Sequence, residues 1–471
     1  MNISPPVPTA AREVADRLIK AGHRTLFVGG CVRDWLAGQE PKDIDIVTQA
    51  QPEEILALFP NSRAVGISFG VVLVQWKETS FEVATFRTDG EYSDSRHPDS
   101  VQYSNEWEDA RRRDFTINGL MMEPATGEIL DYVGGLADQR LGLLRAIGEP
   151  AARFREDALR LLRAIRFSVV HDLEIERRTW DALCTHAERV HLVATERLHA
   201  ELDRMWLSPR RRIALELLDR SGLLGCFVPE LLRLKSCTQP PEFHPEGDVW
   251  THTLLALEHL PEKADLELVW ATLLHDIAKP CVRTIDASGR IRFNGHDITG
   301  MEMAGAILRR LRYPKNFISH VQHLVKSHMQ WRSLHSMRPA HLKVKLCDPL
   351  FGNALELHRA DRLASNGDLS TCRFAAEQHA RLSAEATFNR SPFLNGRDLL
   401  DLGLSPGPLF RQILDEALAE QMEDRLPNRL AAQIWLRRRV KTLLDNTNLR
   451  AHAGKAENRF TGRAGETDAP M

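Results

Sequence analysis

Residues 26–47 read LFVGGCVRDWLAGQEPKDIDIV, and this stretch decides the fold of the first part of the chain. Its apolar start, Leu26 to Val28, predicts a strand that ends in a turn at Gly29 and Gly30. The run Ile44 to Val47 predicts another strand. Asp43 and Asp45 project from one face of it, while Ile44 and Ile46 pack into the core. Two carboxylates on one face repel unless a cation joins them, and hard oxygen ligands of this kind suit Mg²⁺.

The glycine pair adds a second feature to this stretch. Glycines let backbone N–H groups approach a phosphate closely, and Arg33 supplies positive charge beside them. Together the GG-x-V-R-D and K-D-I-D elements resemble the opening motif of the nucleotidyltransferase superfamily that includes DNA polymerase β. The resemblance implies that Asp43 and Asp45 are catalytic and hold Mg²⁺. It also implies nucleotide binding by Gly29, Gly30 and Arg33, and a third carboxylate at Glu82 in the later run FEVATFR.

Composition sets the outer limits of what the chain is. With 471 residues, 43% hydrophobic residues and a net charge of −2, it is expected to be a folded protein of several domains. Any nucleic-acid-binding surface must therefore be a local basic patch. The seven cysteines are scattered and form no Cys-x-x-Cys pair, which favours a reducing cytoplasm. No leader sequence and no apolar run of membrane-spanning length is recognised, so no membrane partner is expected.

Strand signals are confined to the first part of the chain. Beyond Glu149, amphipathic patterns such as Ala158 to Val170 predict helices. The proline-rich segment Cys237 to Asp248 predicts a boundary. The expected fold class is α+β: a polymerase-β-like nucleotidyltransferase head with a mixed sheet, then an all-helical neck and body, and a helical HD domain. The expected regions are a head (1–145), a nucleotide-selecting neck and RNA-binding region (146–236), the HD domain (237–385), a C-terminal helical region (386–446) and a disordered tail (447–471).

Three further motifs narrow the class. The chain reads RRRDFTINGLMM from residue 111, LDYVGGLADQRLGLLRAIG from 130 and RFREDALRLLRAIRF from 153. With the opening motif, these resemble the class II tRNA nucleotidyltransferases, which comprise the CCA-adding enzymes and their bacterial poly(A) polymerase relatives. The resemblance implies tRNA, CTP and ATP as partners. It implies that Asp157 and Arg160 act as an amino-acid template for C and A, that Arg163 and Arg166 complete the pocket, and that Arg113 and Asp114 contact the triphosphate and the ribose.

The spacing of the arginines supports that interpretation. Asp157, Arg160, Arg163 and Arg166 step by three, which on a helix gives a slanting row down one side. Guanidinium and carboxylate groups held on a helix can present donors and acceptors to a base edge. RNA phosphates are expected to meet arginines of the helical region, namely Arg177, Arg178, Arg204, Arg210, Arg211 and Arg212.

The sequence also bears on which nucleotides the chain adds. Poly(A) polymerases of the family carry a basic pair shortly after the aspartates, where this chain has Ile67 and Ser68, so CCA-type specificity is favoured. The stretch Phe86 to Tyr103 has the full length that members adding only C lack. Addition of A alone stays open as an alternative. A rival from another class is a catalytically silent RNA-binding or nucleotide-sensing protein. The oligomeric state cannot be inferred from the sequence.

A second constellation follows the proline-rich segment. The ordered set His252, His275, Asp276 and Asp361 resembles the HD superfamily of metal-dependent phosphohydrolases. Imidazole and carboxylate groups on separate helices can enclose a divalent metal that activates water. His296 and His328 stand where two-metal members of that superfamily have extra ligands. The resemblance implies a divalent metal of unknown identity and a second, phosphohydrolase activity.

Overall fold

The computed structural model describes residue 3 and residues 5–66, 70–90, 101–383 and 392–443. These residues form two compact units. The first comprises Met1–Lys326 with Ala364–Asn366, and the second comprises Ser327–Leu363 with the described residues from Gly367 onward. Several sequence predictions fall wholly or partly outside the described residues. These are Ile67 and Ser68, residues 91–100 of the stretch Phe86 to Tyr103, the end of the expected HD domain, parts of the expected C-terminal helical region, and the tail. In the described part of the chain, none of the helices is both long and apolar enough to cross a membrane.

A mixed seven-stranded sheet forms the centre of the head, in the order β3-β4-β5-β2-β1-β8-β9. Its strands are β1 (Thr25–Val28), β2 (Asp45–Thr48), β3 (Arg63–Gly66), β4 (Val71–Trp76), β5 (Thr79–Thr85), β8 (Met121–Met122) and β9 (Ile129–Leu130), while β6 (Arg87–Asp89) and β7 (Val101–Tyr103) pair separately. Only β2 and β5 pair in parallel within the sheet. The expected mixed α/β head is confirmed.

Both faces of the sheet are covered, which explains the apolar runs Leu26–Val28 and Ile46–Val47 in its central strands. Helices α1 (Thr9–Lys20), α2 (Gly30–Leu36) and α3 (Pro52–Leu58) contribute to the core on one face, where Phe27 and Ile46 are fully buried. Helix α4 (Glu106–Arg111) lies over the other face, where Ala110 packs with Leu26 and Val28. Burial on both sides fixes the register of β1 on β2, so that Val28 lies opposite Asp45.

The remaining chain of the first unit is helical apart from short two-stranded pairs. Its helices are α5 (Gly135–Leu141), α6 (Pro150–Glu156), α7 (Leu159–His171), α8 (Arg177–Thr185), α9 (Thr195–Trp206), α10 (Arg211–Arg220), α11 (Leu223–Phe227), α12 (Val249–Glu258), α13 (Leu266–Leu274), α14 (Lys279–Val282), α15 (His296–Arg310) and α16 (Lys315–Ser327). The short pairs are β10 (Leu143–Leu144) with β11 (Glu174–Ile175), and β12 (Thr284–Ile285) with β13 (Ile291–Arg292). The strand-poor second half is thus confirmed.

Helices on the two sides of the proline-rich segment share one core within this unit. Trp206 of α9 and Trp270 of α13 are both buried, and their rings meet edge to face with centroids 5.9 Å apart. Arg211 is 1% exposed, and its guanidinium donates to the carbonyl oxygens of Ser208, Pro261 and Glu262 at 2.9–3.1 Å. Arg211 was expected to meet RNA, and its burial contradicts that prediction.

The second unit is helical. It contains the 3-10 helix His328–Ser336 and helices α17 (Pro339–Leu346), α18 (Phe351–Ala364), α19 (Ser370–Ser383), α20 (Gly396–Leu400) and α21 (Pro408–Met422), followed by a helix over residues 429–443. Leu399 and Ile413 are fully buried in its C-terminal core. The five regions expected from the sequence remain a prediction. The boundary between the two compact units falls between Lys326 and Ser327, which lie inside the expected HD domain.

Candidate functional site

The carboxylates of the opening motif lie at one end of the sheet. Asp45 is the first residue of β2 and lies opposite Glu82 of β5 in the parallel register. Asp43 is exposed and precedes the strand by two residues, so the prediction that both aspartates lie on the strand is wrong for Asp43. Burial raises the pKa of the Asp45 carboxyl, Arg113 lowers it, and the negative charges of Glu82 and Asp43 raise it further. The electrostatic field therefore favours a cation at this position.

Gly29 lies close to both Asp45 and Arg113. It has φ of 74°, a conformation that L side chains rarely adopt, and it directly precedes α2. A Cβ atom at Gly29 would lie 3.2 Å from Arg113 Nη1 and 3.9 Å from Asp45 Oδ2. The absence of a side chain therefore keeps backbone, guanidinium and carboxylate in close approach. Gly30, the next residue, begins the helix.

A buried carboxylate holds the arginines of the RRD motif. Asp109 is 0% exposed and accepts two bonds from Arg112 at 2.7–3.0 Å and two from Arg113 at 2.9–3.1 Å. Burial raises the pKa of Asp109, but the charges of Arg113 and Arg112 lower it below its usual value. Sequence reasoning missed Asp109, although its position four residues before Arg113 on a helix is the spacing of an ion pair.

Behind this motif, a hydrogen-bonded chain connects the head to α7. Arg33 Nη1 donates to Asn118 Oδ1 at 2.8 Å, and Asn118 Nδ2 donates to Asp114 Oδ1 at 3.0 Å. Arg163 Nε donates to the other Asp114 oxygen at 2.8 Å. Burial raises the pKa of Asp114, but Arg163, Asn118 and Arg160 outweigh it and lower the pKa to about 2. Asp114 is therefore a carboxylate at neutral pH, held rigidly beside the glycine turn.

The base-reading row differs from its prediction. Arg160, Arg163 and Arg166 lie on α7 as expected, but Asp157 does not. It lies between α6 and α7 with an extended backbone, φ −133° and ψ 108°. Its Oδ1 accepts from Leu159 N at 2.9 Å and its Oδ2 from Arg197 Nη2 at 3.0 Å. The carboxylate is thus fixed by α9 rather than by the helical row.

The arginines of α7 are held in three different ways. Arg160 Nη1 donates to Glu156 Oε2 at 2.5 Å, and Arg160 Nη2 donates to the Arg112 carbonyl oxygen at 3.1 Å. Arg163 pairs with Asp114, as described above. Arg166 is buried, pairs with Glu201 and lies 3.9 Å from the centroid of the Phe167 ring. The structure thus pairs Arg163 with Asp114 and Arg166 with Glu201.

The pKa of His171 depends on how far water is excluded at the end of α7. Burial and the nearby Arg33 and Arg166 lower the pKa of His171, at the end of α7, to about 3. The unfolded chain binds this proton below about pH 6.5 and the folded chain does not, so stability is full above that pH and falls below it. We expect the free energy of unfolding to fall by about 1 kcal/mol more, between pH 7.5 and 5.5, in the wild type than in His171→Gln. Urea unfolding at both pH values measures this, and equal losses in the two proteins would contradict it.

The second constellation is assembled from α12, α13 and α15 of the first unit. His252 lies on α12 and His296 begins α15. His275 and Asp276 lie in the turn that follows α13, so the prediction that the ligands lie on separate helices is wrong for this pair. His275 Nε2 lies 3.3 Å from His252 Nε2 and 3.2 Å from Asp276 Oδ2, and His296 Nε2 lies 3.4 Å from Asp276 Oδ1.

Each of these three histidines has its Nδ1 atom beside an acceptor. The acceptors are Glu246 Oε1 for His252 at 2.6 Å, the Thr272 carbonyl oxygen for His275 at 2.8 Å and the Phe293 carbonyl oxygen for His296 at 2.7 Å. Nδ1 thus orients each ring so that the Nε2 atoms of His252, His275 and His296 lie 3.2–3.9 Å from an Asp276 oxygen. Converging imidazole nitrogens with a carboxylate fit a divalent metal, and His252, His275 and Asp276 have the spacing of a ligand group.

The carboxylate of this cluster is charged. Burial raises the pKa of Asp276, but His275 and Lys279 lower it well below its ordinary value, and Lys279 Nζ lies 2.6 Å from Asp276 Oδ2. Glu246 and Lys279 were not identified from the sequence. The remaining expected ligands belong to the second unit: His328 is buried at the start of its 3-10 helix, and Asp361 lies half-buried on α18. Their metal-binding role remains a prediction.

Most of the arginines expected to meet RNA are engaged with protein groups. Arg177 pairs with Asp181, Arg178 with Glu149 and Arg204 with Glu201. Arg210 pairs with Asp172, while Arg212 pairs with Glu216 and Glu258. Most of these pairs are at least partly exposed, so phosphate contact by these arginines stays a prediction.

Comparison with known proteins confirms the family resemblance. Three family models match the chain: a poly A polymerase head domain over residues 25–145, a probable RNA and SrmB-binding site of polymerase A over residues 172–234, and an HD domain over residues 248–366. The chain is therefore a nucleotidyltransferase with an RNA-binding region and an HD domain. A CCA-adding enzyme of Lactiplantibacillus plantarum is 31% identical over 440 residues, which is 92% of this chain and 96% of that enzyme. The chain belongs to the family of CCA-adding enzymes.

Two further relatives describe the extent of this likeness. A CCA-adding enzyme of Lactococcus lactis is 41% identical over 225 residues, and the chain spans 56% of that enzyme's length. The crystal structure of the Bacillus stearothermophilus CCA-adding enzyme in complex with CTP is 25% identical. It matches with a TM-score of 0.63 over 94% of this chain and all of that one. The family and the fold expected from the sequence are confirmed.

Proposed function

We propose that this chain adds C and A nucleotides to the 3′ end of tRNA, using CTP and ATP, without a nucleic-acid template. The observation that carries the proposal is the position of Asp45, beside Gly29 and Arg113 and within the fields of Glu82 and Asp43. This donor set fits Mg²⁺, which prefers carboxylate oxygens. Bound Mg²⁺ would supply charge neutralisation for the triphosphate and a lowered pKa for the attacking 3′-hydroxyl.

The protein's own groups position the reactants. Arg113, fixed by Asp109, and the Gly29 backbone face the triphosphate, while Asp114 is held to accept from a ribose hydroxyl. The 3′-hydroxyl gives its proton to water and its oxygen bonds to the α-phosphorus. The bond from the α-phosphorus to the oxygen that bridges it to the β-phosphate breaks, and pyrophosphate leaves. Catalysis is then mainly positioning and electrostatic stabilisation, as in phosphoryl transfer generally.

Three tRNA substrates, lacking CCA, CA or only A, test the proposal with labelled CTP and ATP supplied separately. An enzyme that adds the whole CCA end incorporates C into the first two tRNAs when only CTP is supplied. When only ATP is supplied, it incorporates A into the last tRNA alone. Incorporation of A alone, on the last tRNA and not on the others, would identify an A-adding enzyme. Long A tails on unrelated RNA would identify a poly(A) polymerase. No incorporation at all would favour a catalytically silent RNA-binding protein.

Arg160 offers a test of base selection. If Arg160 and Asp157 read the base edge, Arg160→Ala should change the ratio of kcat/KM for CTP and ATP by about tenfold, because a buried reading group left unpaired costs about 1–3 kcal/mol. Single-nucleotide addition on matched tRNAs measures both values. Glu156→Gln is a control that keeps the Arg160 guanidinium while removing the charge of its ion-pair partner. An equal loss for both nucleotides would reduce Arg160 to a structural contact with its carbonyl partners.

We propose a second activity at the histidine cluster, namely metal-dependent hydrolysis of a phosphate ester such as a 2′,3′-cyclic phosphate. The specific observation is that three Nε2 atoms face one buried carboxylate. A bound divalent metal would supply an activated water there. A 3′-phosphate or cyclic phosphate blocks the hydroxyl that the head requires, so hydrolysis before addition gives the two sites a chemical connection.

We also propose that the protein works in the cytoplasm. The seven cysteines are scattered along the chain and no two of them form a Cys-x-x-Cys pair, which suits a reducing compartment.

A further inference from the structure

A cavity of about 930 Å³ lies in the first unit, beside Arg160. Its walls come from α4, α6, the segment between them and the end of β6. The lining residues used below are Trp107, Arg111, Arg112, Arg153, Arg155 and Glu156. Its volume is at the upper end of the range of about 300–1,000 Å³ for ligand sites in proteins.

Hydrogen bonds connect this cavity to the proposed base-reading residue. The Arg160 guanidinium donates to Glu156 Oε2 at 2.5 Å, to the Arg112 carbonyl oxygen at 3.1 Å and to the Arg153 carbonyl oxygen at 3.2 Å. All three acceptors belong to residues that line the cavity. None of the groups proposed to hold the triphosphate, Gly29, Gly30 and Arg33 among them, lines it. The cavity therefore adjoins the nucleotide site but differs from its triphosphate end.

The wall presents an aromatic ring and unpaired positive charge. Trp107 is 46% exposed, a large value for a side chain that usually buries most of its surface. The guanidinium of Arg111, one helical turn away, lies 4.3 Å from the centroid of its indole ring. Arg111 and Arg155 are exposed, and neither forms an ion pair with any carboxylate in the described part of the chain. A ring for stacking beside arginines for phosphates is the chemistry that binds single-stranded RNA.

We propose that this cavity receives the 3′-terminal nucleotides of the acceptor RNA. One base stacks on Trp107, and Arg111 and Arg155 meet the phosphates that flank it. The assignment rests on the proposed function, because it names the subsite of the RNA substrate at the same active site. It adds a contact that selects a single-stranded end without reading its sequence, since every base has a face that can stack.

Steady-state addition of A to tRNA lacking only the terminal A tests this assignment. Trp107→Ala should raise KM for the tRNA about tenfold, leave KM for ATP within about twofold and weaken tRNA binding measured without nucleotide by the same factor. Trp107→Phe should restore most of the affinity, because it keeps a ring. A rise in KM for ATP instead would assign the cavity to the incoming base and overturn the proposal. Unchanged KM and Kd values for the tRNA would overturn it as well.

The salt dependence of tRNA binding provides an independent test of the phosphate contacts. Arg111→Gln should lower the slope of log Kd for the tRNA against log salt by about one, while Arg12→Gln, on the exposed side of α1, should leave the slope unchanged. Equal slopes for both variants would contradict the phosphate contact. The wild-type assay separates this inference from the proposed function: if the wild type adds nucleotides normally and the variants bind tRNA normally, only the subsite is wrong.

Discussion

Asp45→Asn is expected to reduce nucleotide incorporation about a thousandfold or more, with the fold intact. The substitution keeps the shape of the side chain and removes one of the charges that would hold Mg²⁺. It also removes a charge that is disfavoured by burial and by the repulsion of Glu82 and Asp43, the causes that raise the pKa of Asp45, so the apparent Tm without Mg²⁺ should not fall. Incorporation of labelled CTP and ATP, with thermal unfolding in parallel, measures both effects.

Asp16→Asn on α1 is the matched control, because it removes a carboxylate of the head that lies outside the site. It should retain full activity. Substantial incorporation by Asp45→Asn at saturating Mg²⁺ would remove this carboxylate from its catalytic role. A lowered Tm with no loss of activity would assign Asp45 to structure alone.

Replacing the His-Asp pair should abolish the second activity and spare the first. The double variant His275→Ala and Asp276→Asn is expected to lose phosphate release from a 2′,3′-cyclic nucleotide by about a hundredfold or more, with Ni²⁺, Mn²⁺ or Mg²⁺ present. Asn keeps an oxygen near Lys279 Nζ, which limits the cost of leaving a buried cation without its partner. Addition of C and A to tRNA should be unchanged within about twofold.

His191→Ala, which removes an exposed histidine outside the cluster, is the control and should behave as the wild type. Metal content measured on the purified proteins provides a readout besides activity, because the double variant should bind less metal. Wild-type protein that neither binds a divalent metal nor hydrolyses any of these substrates would rule out the hydrolase proposal.

Local sequence predicted the head well because its signals are short-range. Short apolar runs and a glycine turn define β1, β2 and the position of Gly29, which needs its positive φ. The helical period of EDALRLLRAIR, by contrast, continues through Asp157 without a glycine or proline to interrupt it. The helix is interrupted at Asp157, whose carboxylate accepts a hydrogen bond from Arg197, forty residues further on. This tertiary contact overrides the local helical propensity.

Some of the groups that hold the two sites in place could not be predicted, because their partners are distant in sequence. Asn118 meets Arg33 across 85 residues, and Lys279 meets Gln239 across 40. The turn that carries the His-Asp pair did have a local signal, since Pro280 stands in the first turn of α14. An arginine-rich run, in turn, does not reveal which member is buried, and Arg211 is the member that folding removed from solvent.

The burial of Arg211 has a consequence for how this protein can be divided. A fragment ending at the proline-rich segment would lose the carbonyl groups of Pro261 and Glu262 that the guanidinium binds, and would uncover Trp206. A cation left unpaired and an indole left in water both favour aggregation. The head-proximal helices and the first helices of the HD domain therefore depend on each other for folding, so recombination at that segment should yield insoluble protein.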